Sequence, residues 1–131
     1  MIVLDSSAIV EVLIDSPKAD TVLAAISGEQ RHAPDLISFE VLSAIRGKVR
    51  GQELTPDEAL TAMRDFEDVE ARLELWPLLE HMTERAIQLR ENVSSYDASY
   101  VTLAEILPCP LVTADARLGR AVDSLIDVIV V

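Results

Sequence analysis

Along the whole chain, short runs of apolar residues alternate with segments in which apolar residues recur at the spacing of a helix. Extended runs are predicted at residues 1–4, 32–34, 72–76, 111–113 and 126–131. Between them, apolar residues recur three and four positions apart, as on a helix that buries one face; residues 35–52, for example, carry Leu36, Phe39, Leu42, Ile45 and Val49. Strands that alternate with helices, with few hairpin signals, predict an α/β sandwich around a parallel sheet.

Polar residues and prolines indicate where the helices begin. We predict that Ser6 or Ser7 caps the first helix and that Ser94 or Ser95 caps the helix of residues 96–107. The segment Thr55-Pro56-Asp57-Glu58 has the pattern of a capping box. Pro77 is predicted at the first position of a helix that extends to about residue 92. A short helix is expected from Asp115 to about residue 121.

Length and composition indicate one domain that covers residues 1–131. Half of the 131 residues are apolar and no linker divides them, while a lone cysteine, Cys109, excludes an internal disulfide. No apolar run approaches the ~20 residues of a membrane span. The first residues have no basic leader, so we expect a cytoplasmic protein that does not contact membranes.

The chain is strongly acidic, with 23 Asp and Glu against 11 Lys and Arg and a net charge of −12. This charge repels phosphates and argues against nonspecific nucleic-acid binding, unless some acids are metal ligands or the natural partner is basic. Aromatic residues make up only 4% of the chain, which argues against a base-stacking platform.

Four of the acids occupy positions where a solvated charge is not expected. Asp5 and Asp115 follow predicted parallel strands, at the edge of the sheet where α/β proteins bind ligands. Glu40 and Asp97 lie on helix faces whose neighbouring residues are apolar or small. Each acid taken singly also fits a helix cap or a surface charge. The set of four favours a common site.

Carboxylates that converge in this way need a cation. Two unit charges ~4 Å apart repel by about 4 kcal/mol at an effective dielectric of ~20. Carboxylate oxygens suit Mg²⁺ or Mn²⁺, and the two histidines, His32 and His81, are 49 positions apart, so no zinc or copper set is present. A metal held by acids can activate water at a phosphate, which predicts phosphodiester hydrolysis. Ser7 and Thr113 are candidates to orient the carboxylates, although an N-cap and an ordinary strand residue explain them equally well.

Three motifs and one helical acid, in this order, carry a family resemblance. They are Leu4-Asp5-Ser6-Ser7-Ala8, Glu40 in its helix, Tyr96-Asp97-Ala98-Ser99-Tyr100 and Leu111-Val112-Thr113-Ala114-Asp115-Ala116-Arg117-Leu118. Each is weak alone, but the ordered set resembles the PIN-domain ribonucleases and, more narrowly, the VapC toxins of bacterial VapBC toxin–antitoxin systems. The resemblance covers the whole chain.

The resemblance implies a toxin that is a Mg²⁺- or Mn²⁺-dependent endoribonuclease, with a three-layer α/β/α sandwich and a short, mostly parallel central sheet. It implies a catalytic, metal-binding quartet of Asp5, Glu40, Asp97 and Asp115, in which Asp5 and Asp97 are the direct metal ligands, with hydroxyls from Ser7 and Thr113. It also implies a homodimer and a VapB-type antitoxin that blocks the acids, often with a basic side chain.

Basic residues near the acids in sequence are candidate contacts for the RNA substrate, or else ordinary solvated charges: Arg46, Lys48, Arg117 and Arg120.

Other acidic α/β proteins fit less well. A phosphate-accepting receiver domain needs a lysine near the end of the chain, and the only lysines are Lys18 and Lys48. A haloacid-dehalogenase-type phosphatase needs an aspartate where Ser7 stands, and no glycine-rich nucleotide loop is present. The main alternative is a noncatalytic PIN-fold module that binds a partner protein or RNA.

Overall fold

The computed structural model describes all 131 residues and contains seven helices and five strands. In chain order these are β1 (Ile2–Leu4), α1 (Ser6–Leu13), α2 (Ala19–Ala25), β2 (Arg31–Pro34), α3 (Ile37–Arg50), α4 (Pro56–Glu70), β3 (Glu74–Trp76), α5 (Glu80–Gln88), α6 (Ser95–Ile106), β4 (Leu111–Thr113), α7 (Ala116–Val122) and β5 (Val128–Val130).

The strands form one sheet in the order β3-β2-β1-β4-β5, and every neighbouring pair is parallel. Strands β1, β2 and β3 follow one another toward one edge of the sheet, and β4 then lies on the other side of β1. The carboxyl ends of β1 and β4 therefore border the crevice at which α/β sheets bind ligands. Leu4 pairs with Val112, so Asp5 and Thr113 leave the sheet side by side.

The core is built on the two central strands, whose six residues are all buried. Strands that are covered on both faces are apolar throughout, and these two are apolar except for Thr113. Helix α6 lies against β1, β2 and β4 and packs on α5, whereas α1 packs on α2, α3, α4 and β4. The result is the expected α/β/α sandwich. None of the seven helices is long and apolar enough to cross a bilayer.

Two predicted caps are confirmed and one predicted helix start is wrong. Thr55 and Glu58 form the complete capping box, and the Ser94 hydroxyl accepts a hydrogen bond from the Asp97 N–H at 3.0 Å. Pro77 does not begin a helix, because α5 starts only at Glu80. Trp76 is still bonded in the sheet, since its carbonyl accepts from the Asp35 N–H, and the chain needs residues 77–79 to leave the sheet.

The buried face of α3 also differs from the predicted one. Ile37, Val41 and Ile45 face the core, whereas Phe39 and Leu42 are exposed. Neighbouring residues on a helix point about 100° apart, so a stripe that starts at residue 37 leaves residues 39 and 42 outside it. The sequence offers two apolar stripes on this helix, and α1 and α4 cover only one of them.

Helix α7 packs so closely on β5 that Gly119 has no room for a side chain, because a Cβ there would lie 2.5 Å from Val130 Cγ2. We expect Gly119→Ala to lower the free energy of unfolding by about 1–3 kcal/mol, the usual cost of overpacking. Gly47→Ala on α3 is the matched control. A Cβ there meets no atom within 4 Å, so this variant should gain up to about 1 kcal/mol from helix propensity. Urea unfolding measures both, and equal effects would contradict the packing argument.

Candidate active site

Asp5 is the buried centre of the crevice. It occupies the N-cap position of α1, only 4% exposed, but its side chain does not cap that helix. Instead Oδ2 accepts hydrogen bonds from the Ser7 hydroxyl at 2.5 Å and the Thr113 hydroxyl at 2.7 Å. The prediction that Ser6 or Ser7 caps α1 is therefore wrong, because Asp5 holds the cap position and the Ser7 hydroxyl donates back to it.

The loop after β4 orients both hydroxyls. Ser7 Oγ accepts from the Ala114 N–H at 2.9 Å, and Thr113 Oγ1 accepts from the Asp115 N–H at 3.0 Å. Each hydroxyl accepts from the backbone and so directs its own hydrogen at Asp5 Oδ2. Asp5 Oδ1 has only a long contact with Ser6 Oγ at 3.4 Å. One oxygen of this carboxylate is fixed, and the other is left for a ligand.

Asp115 also has one oxygen engaged and one left over. It is the N-cap of α7, and its Oδ1 accepts from the backbone N–H groups of Arg117 and Leu118 at 2.8 and 3.1 Å. Its Oδ2 makes no hydrogen bond with the protein. Asp115 is thus held by backbone N–H groups of α7, and Asp5 by two hydroxyls that the loop before α7 orients.

Glu40, in the first turn of α3, lies near these acids and is held by Tyr100, a residue of the predicted motif to which the sequence assigned no role. The hydroxyl of Tyr100, which is fully buried, donates to Glu40 Oε2 at 2.5 Å. The sequence spacing could have indicated this contact, because Tyr100 lies three positions after Asp97 and is therefore on the same face of α6. Burial raises the pKa of Glu40, the Tyr100 hydrogen bond opposes this, and the negative charges of Asp5 and Asp97 raise the pKa further.

Asp97, in the first turn of α6, is half-buried like Glu40. Burial raises its pKa, the hydroxyl of Ser94 opposes the rise, and the charges of Asp5 and Asp115 add to it, while Arg117 lowers it. Because each of the four acids acts electrostatically on at least one of the others, they form one site. Negative charge is in excess at this site.

The donors at this site suit a hard divalent cation, because all of them are oxygens and their charge is not balanced. No three His, Cys, Asp or Glu side chains are grouped so as to hold one ion as they stand. Like charges repel, and a spread arrangement of carboxylates relieves that repulsion. The softer ligands, imidazole and thiol, do not come from His32 or Cys109. His32 is buried in β2 and accepts a hydrogen bond from Trp76. Cys109 precedes β4, at the opposite end of that strand from the acids.

Only some of the predicted basic residues lie near the four acids. Arg117 lines a groove with Asp97, and Arg90, which sequence reasoning missed, lines it too. Arg46 and Arg120 are exposed and make no ion pair. Lys48 pairs with Glu53 at 3.1 Å and lies about 12 Å along α3 from Glu40. Arg90 comes from the loop after α5, and only the folding of the chain places it beside α7.

Comparison with known proteins points to one family. The family model described as "PIN domain" matches residues 2–123. Ribonuclease VapC12 of Mycobacterium tuberculosis is 40% identical over 121 residues, which are 92% of this chain and 92% of that protein, and ribonuclease VapC9 of the same species is 36% identical over 91% of this chain and 89% of its own length. A toxin–antitoxin complex from Klebsiella pneumoniae has a chain with TM-score 0.72 and 13% identity, covering 98% of this chain and 96% of that one.

The hydroxyl of Thr113 holds the buried charge of Asp5. We expect Thr113→Val to lower the free energy of unfolding at neutral pH by about 1–3 kcal/mol, since it removes a donor to a buried anion and the acceptor of the Asp115 N–H. Thr102→Val is the control, because the buried Thr102 hydroxyl bonds only to the Ala98 carbonyl within its own helix. Chemical denaturation of both in chelator should show the smaller loss for Thr102→Val. Equal losses would contradict the role of Asp5.

The raised pKa of Glu40 predicts a pH-dependent effect of its removal. The folded state favours the protonated carboxyl, so its contribution to stability is present below the unfolded pKa of about 4.5 and is lost as pH rises through the higher folded value. Glu40→Gln, which keeps an acceptor for Tyr100, should therefore stabilise the protein at pH 7 in chelator, and the gain should vanish below pH ~4.5. Glu84→Gln removes an exposed, unpaired charge and should show no such dependence. Parallel pH profiles would contradict the prediction.

Proposed function

Because this chain belongs to the PIN domain family, and within it to the VapC ribonucleases, we propose that Asp5, Glu40, Asp97 and Asp115 carry its activity together with bound Mg²⁺ or Mn²⁺. The protein is a toxin endoribonuclease, and we propose that residues 1–131 act as one PIN domain. PIN-domain ribonucleases generally use divalent metal ions. The observation that carries the proposal is the convergence of the four acids: Asp5 and Asp115 follow the adjacent strands β1 and β4, and Glu40 and Asp97 lie half-buried near them, where burial and the neighbouring acids raise the pKa of both.

The four acids have different parts in this proposal. Asp5 and Asp97 are the direct metal ligands, with Asp115 and Glu40 completing the negative site. The hydroxyls of Ser7 and Thr113 hold Asp5 in one orientation, so its free Oδ1 is presented at the crevice. Tyr100 does the same for Glu40 through a hydrogen bond to Oε2. A divalent cation, when bound, supplies an activated water and neutralises charge on the phosphate.

RNA has to approach a protein of charge −12, and basic side chains at the crevice make this possible. Arg117 and Arg90 are exposed in the groove that contains Asp97, where their guanidinium groups suit phosphate oxygens. Arg120, three residues after Arg117 on α7, extends this basic surface. Arg46 and Lys48 are more distant, and we expect weaker effects from them.

We also infer an antitoxin partner and a homodimer. A basic antitoxin side chain directed at the four acids would be attracted by their excess negative charge, and the net charge of −12 suits a basic partner. The Klebsiella pneumoniae structure with the same fold comes from a toxin–antitoxin complex. Exposed apolar side chains near the two ends of α5, Leu78 and Ile87, offer surface for a homodimer.

The test of this function is cleavage of RNA by protein freed of antitoxin. We expect discrete fragments with Mg²⁺ or Mn²⁺ and none with chelator. Asp97→Asn should reduce cleavage by at least 10²-fold, because it removes a charged ligand and changes the fold little. End-labelled total bacterial RNA resolved on a sequencing gel measures both.

The matched control is Asp123→Asn, which removes the same charge from the groove that also contains Pro108 and Cys109. It should cleave like the parent protein. Cleavage that survives chelator or Asp97→Asn would refute the proposed metal-binding quartet. Metal-independent RNA or protein binding without cleavage would favour the noncatalytic module.

A further inference from the structure

Two aromatic side chains are exposed to solvent beside the four acids. Of the five aromatic residues in the chain, Phe39 is 78% exposed and Tyr96 is 60% exposed, and both line one groove of about 520 Å³. The other three aromatic residues are buried or packed against the core. The low aromatic content argues against base stacking, but the two exposed aromatic side chains lie in one groove together with Glu40, one of the four acids.

The lining of this groove is mixed in a way that suits a nucleoside. Phe39 and Tyr96 offer ring faces, and Leu36 and Ala44 add apolar surface. The hydroxyls of Ser6 and Ser43 and the carboxylate of Glu40 complete the lining. A nucleoside has the matching chemistry, since its base has two apolar π-faces and its ribose carries a 2′-hydroxyl that donates and accepts hydrogen bonds.

The groove is continuous with the proposed catalytic site. Glu40 and Ser6 belong both to this groove and to the surroundings of Asp5. A second groove, of about 390 Å³, contains Asp97 and Arg117. The two meet at the first turn of α6, where Tyr96 lines one and Asp97 the other. A strand that crosses the acids therefore has guanidinium groups on one side and aromatic rings on the other.

We propose that Phe39 and Tyr96 bind an unpaired base of the RNA, next to the phosphate that is cut. The inference rests on the proposed function, because the groove opens onto the same acids. Base pairing and stacking inside a duplex cover the faces that the rings need, so only a nucleotide in a loop, bulge or single strand can enter. The rings thus select unpaired RNA, while Arg117 and Arg90 hold phosphates without regard to sequence.

Binding is measured with a 12-nucleotide unstructured RNA that carries 2-aminopurine, in an Asp97→Asn background with Mg²⁺ so that the RNA stays uncut. Phe39→Ala or Tyr96→Ala should weaken binding about 5- to 140-fold, the range that ~1–3 kcal/mol of stacking per base gives at ~1.4 kcal/mol per tenfold. Each variant should also lose the quenching of 2-aminopurine. Phe39→Tyr and Tyr96→Phe keep the rings and should retain both signals.

Leu60→Ala is the matched control, because Leu60 is an exposed apolar side chain on α4, outside this groove, and its truncation should leave binding unchanged. The same RNA annealed to its complement should bind the parent protein no better than it binds the alanine variants. In the catalytically intact protein, Phe39→Ala and Tyr96→Ala should raise KM for unpaired RNA more than they lower kcat.

Three outcomes would overturn the inference. If the ring variants bind and cleave like the parent, the groove does not hold a base, although the nuclease stands. If Phe39→Ala halves the mass in light scattering and leaves RNA affinity unchanged, a second copy of the chain covers the groove. If the parent neither cleaves nor binds RNA, the proposed function and the inference fail together.

Discussion

The structure depends on one buried anion, the carboxylate of Asp5 between the two central strands. A charge taken out of water is costly unless hydrogen bonds replace its hydration. Here the hydroxyls of Ser7 and Thr113 replace it, and each is oriented by a backbone N–H of the loop after β4. These hydrogen bonds require the register that pairs Leu4 with Val112 and the path of the loop that leads into α7.

The same arrangement suits the crevice to the chemistry proposed for it. Asp5 and Asp115 each have one oxygen tied to the protein and one left over, while Glu40 and Asp97 are half-buried near them with raised pKa values. A divalent cation would relieve the excess negative charge and an RNA phosphate would increase it, so the proposed function couples metal and substrate at this site. Aromatic side chains line one groove at the acids and basic side chains line another, and in the proposed complex these hold the bases and the phosphates of one strand.

Several local features could be predicted from short stretches of sequence. The capping box at Thr55 and the cap at Ser94 depend on residues within one helical turn, so residues close in sequence are sufficient to predict them. Pro77 and the exposed face of α3 were mispredicted because distant partners decide them: the bond between Asp35 and Trp76 delays α5, and α1 and α4 choose which stripe of α3 is buried.

The sequence by itself determined the fold class and singled out four acids in a fixed order, because strand periodicity, an acid close to the end of a strand and an acid on an apolar helix face are local properties of the chain. Only the tertiary structure decided which side chains meet at these acids. Tyr100 reaches Glu40 across 60 residues, and Thr113 reaches Asp5 across 108. Phe39 and Tyr96 share a groove only because α3 and α6 both begin at the same edge of the sheet. Such contacts depend on sheet order and helix packing, which residues close in sequence do not encode.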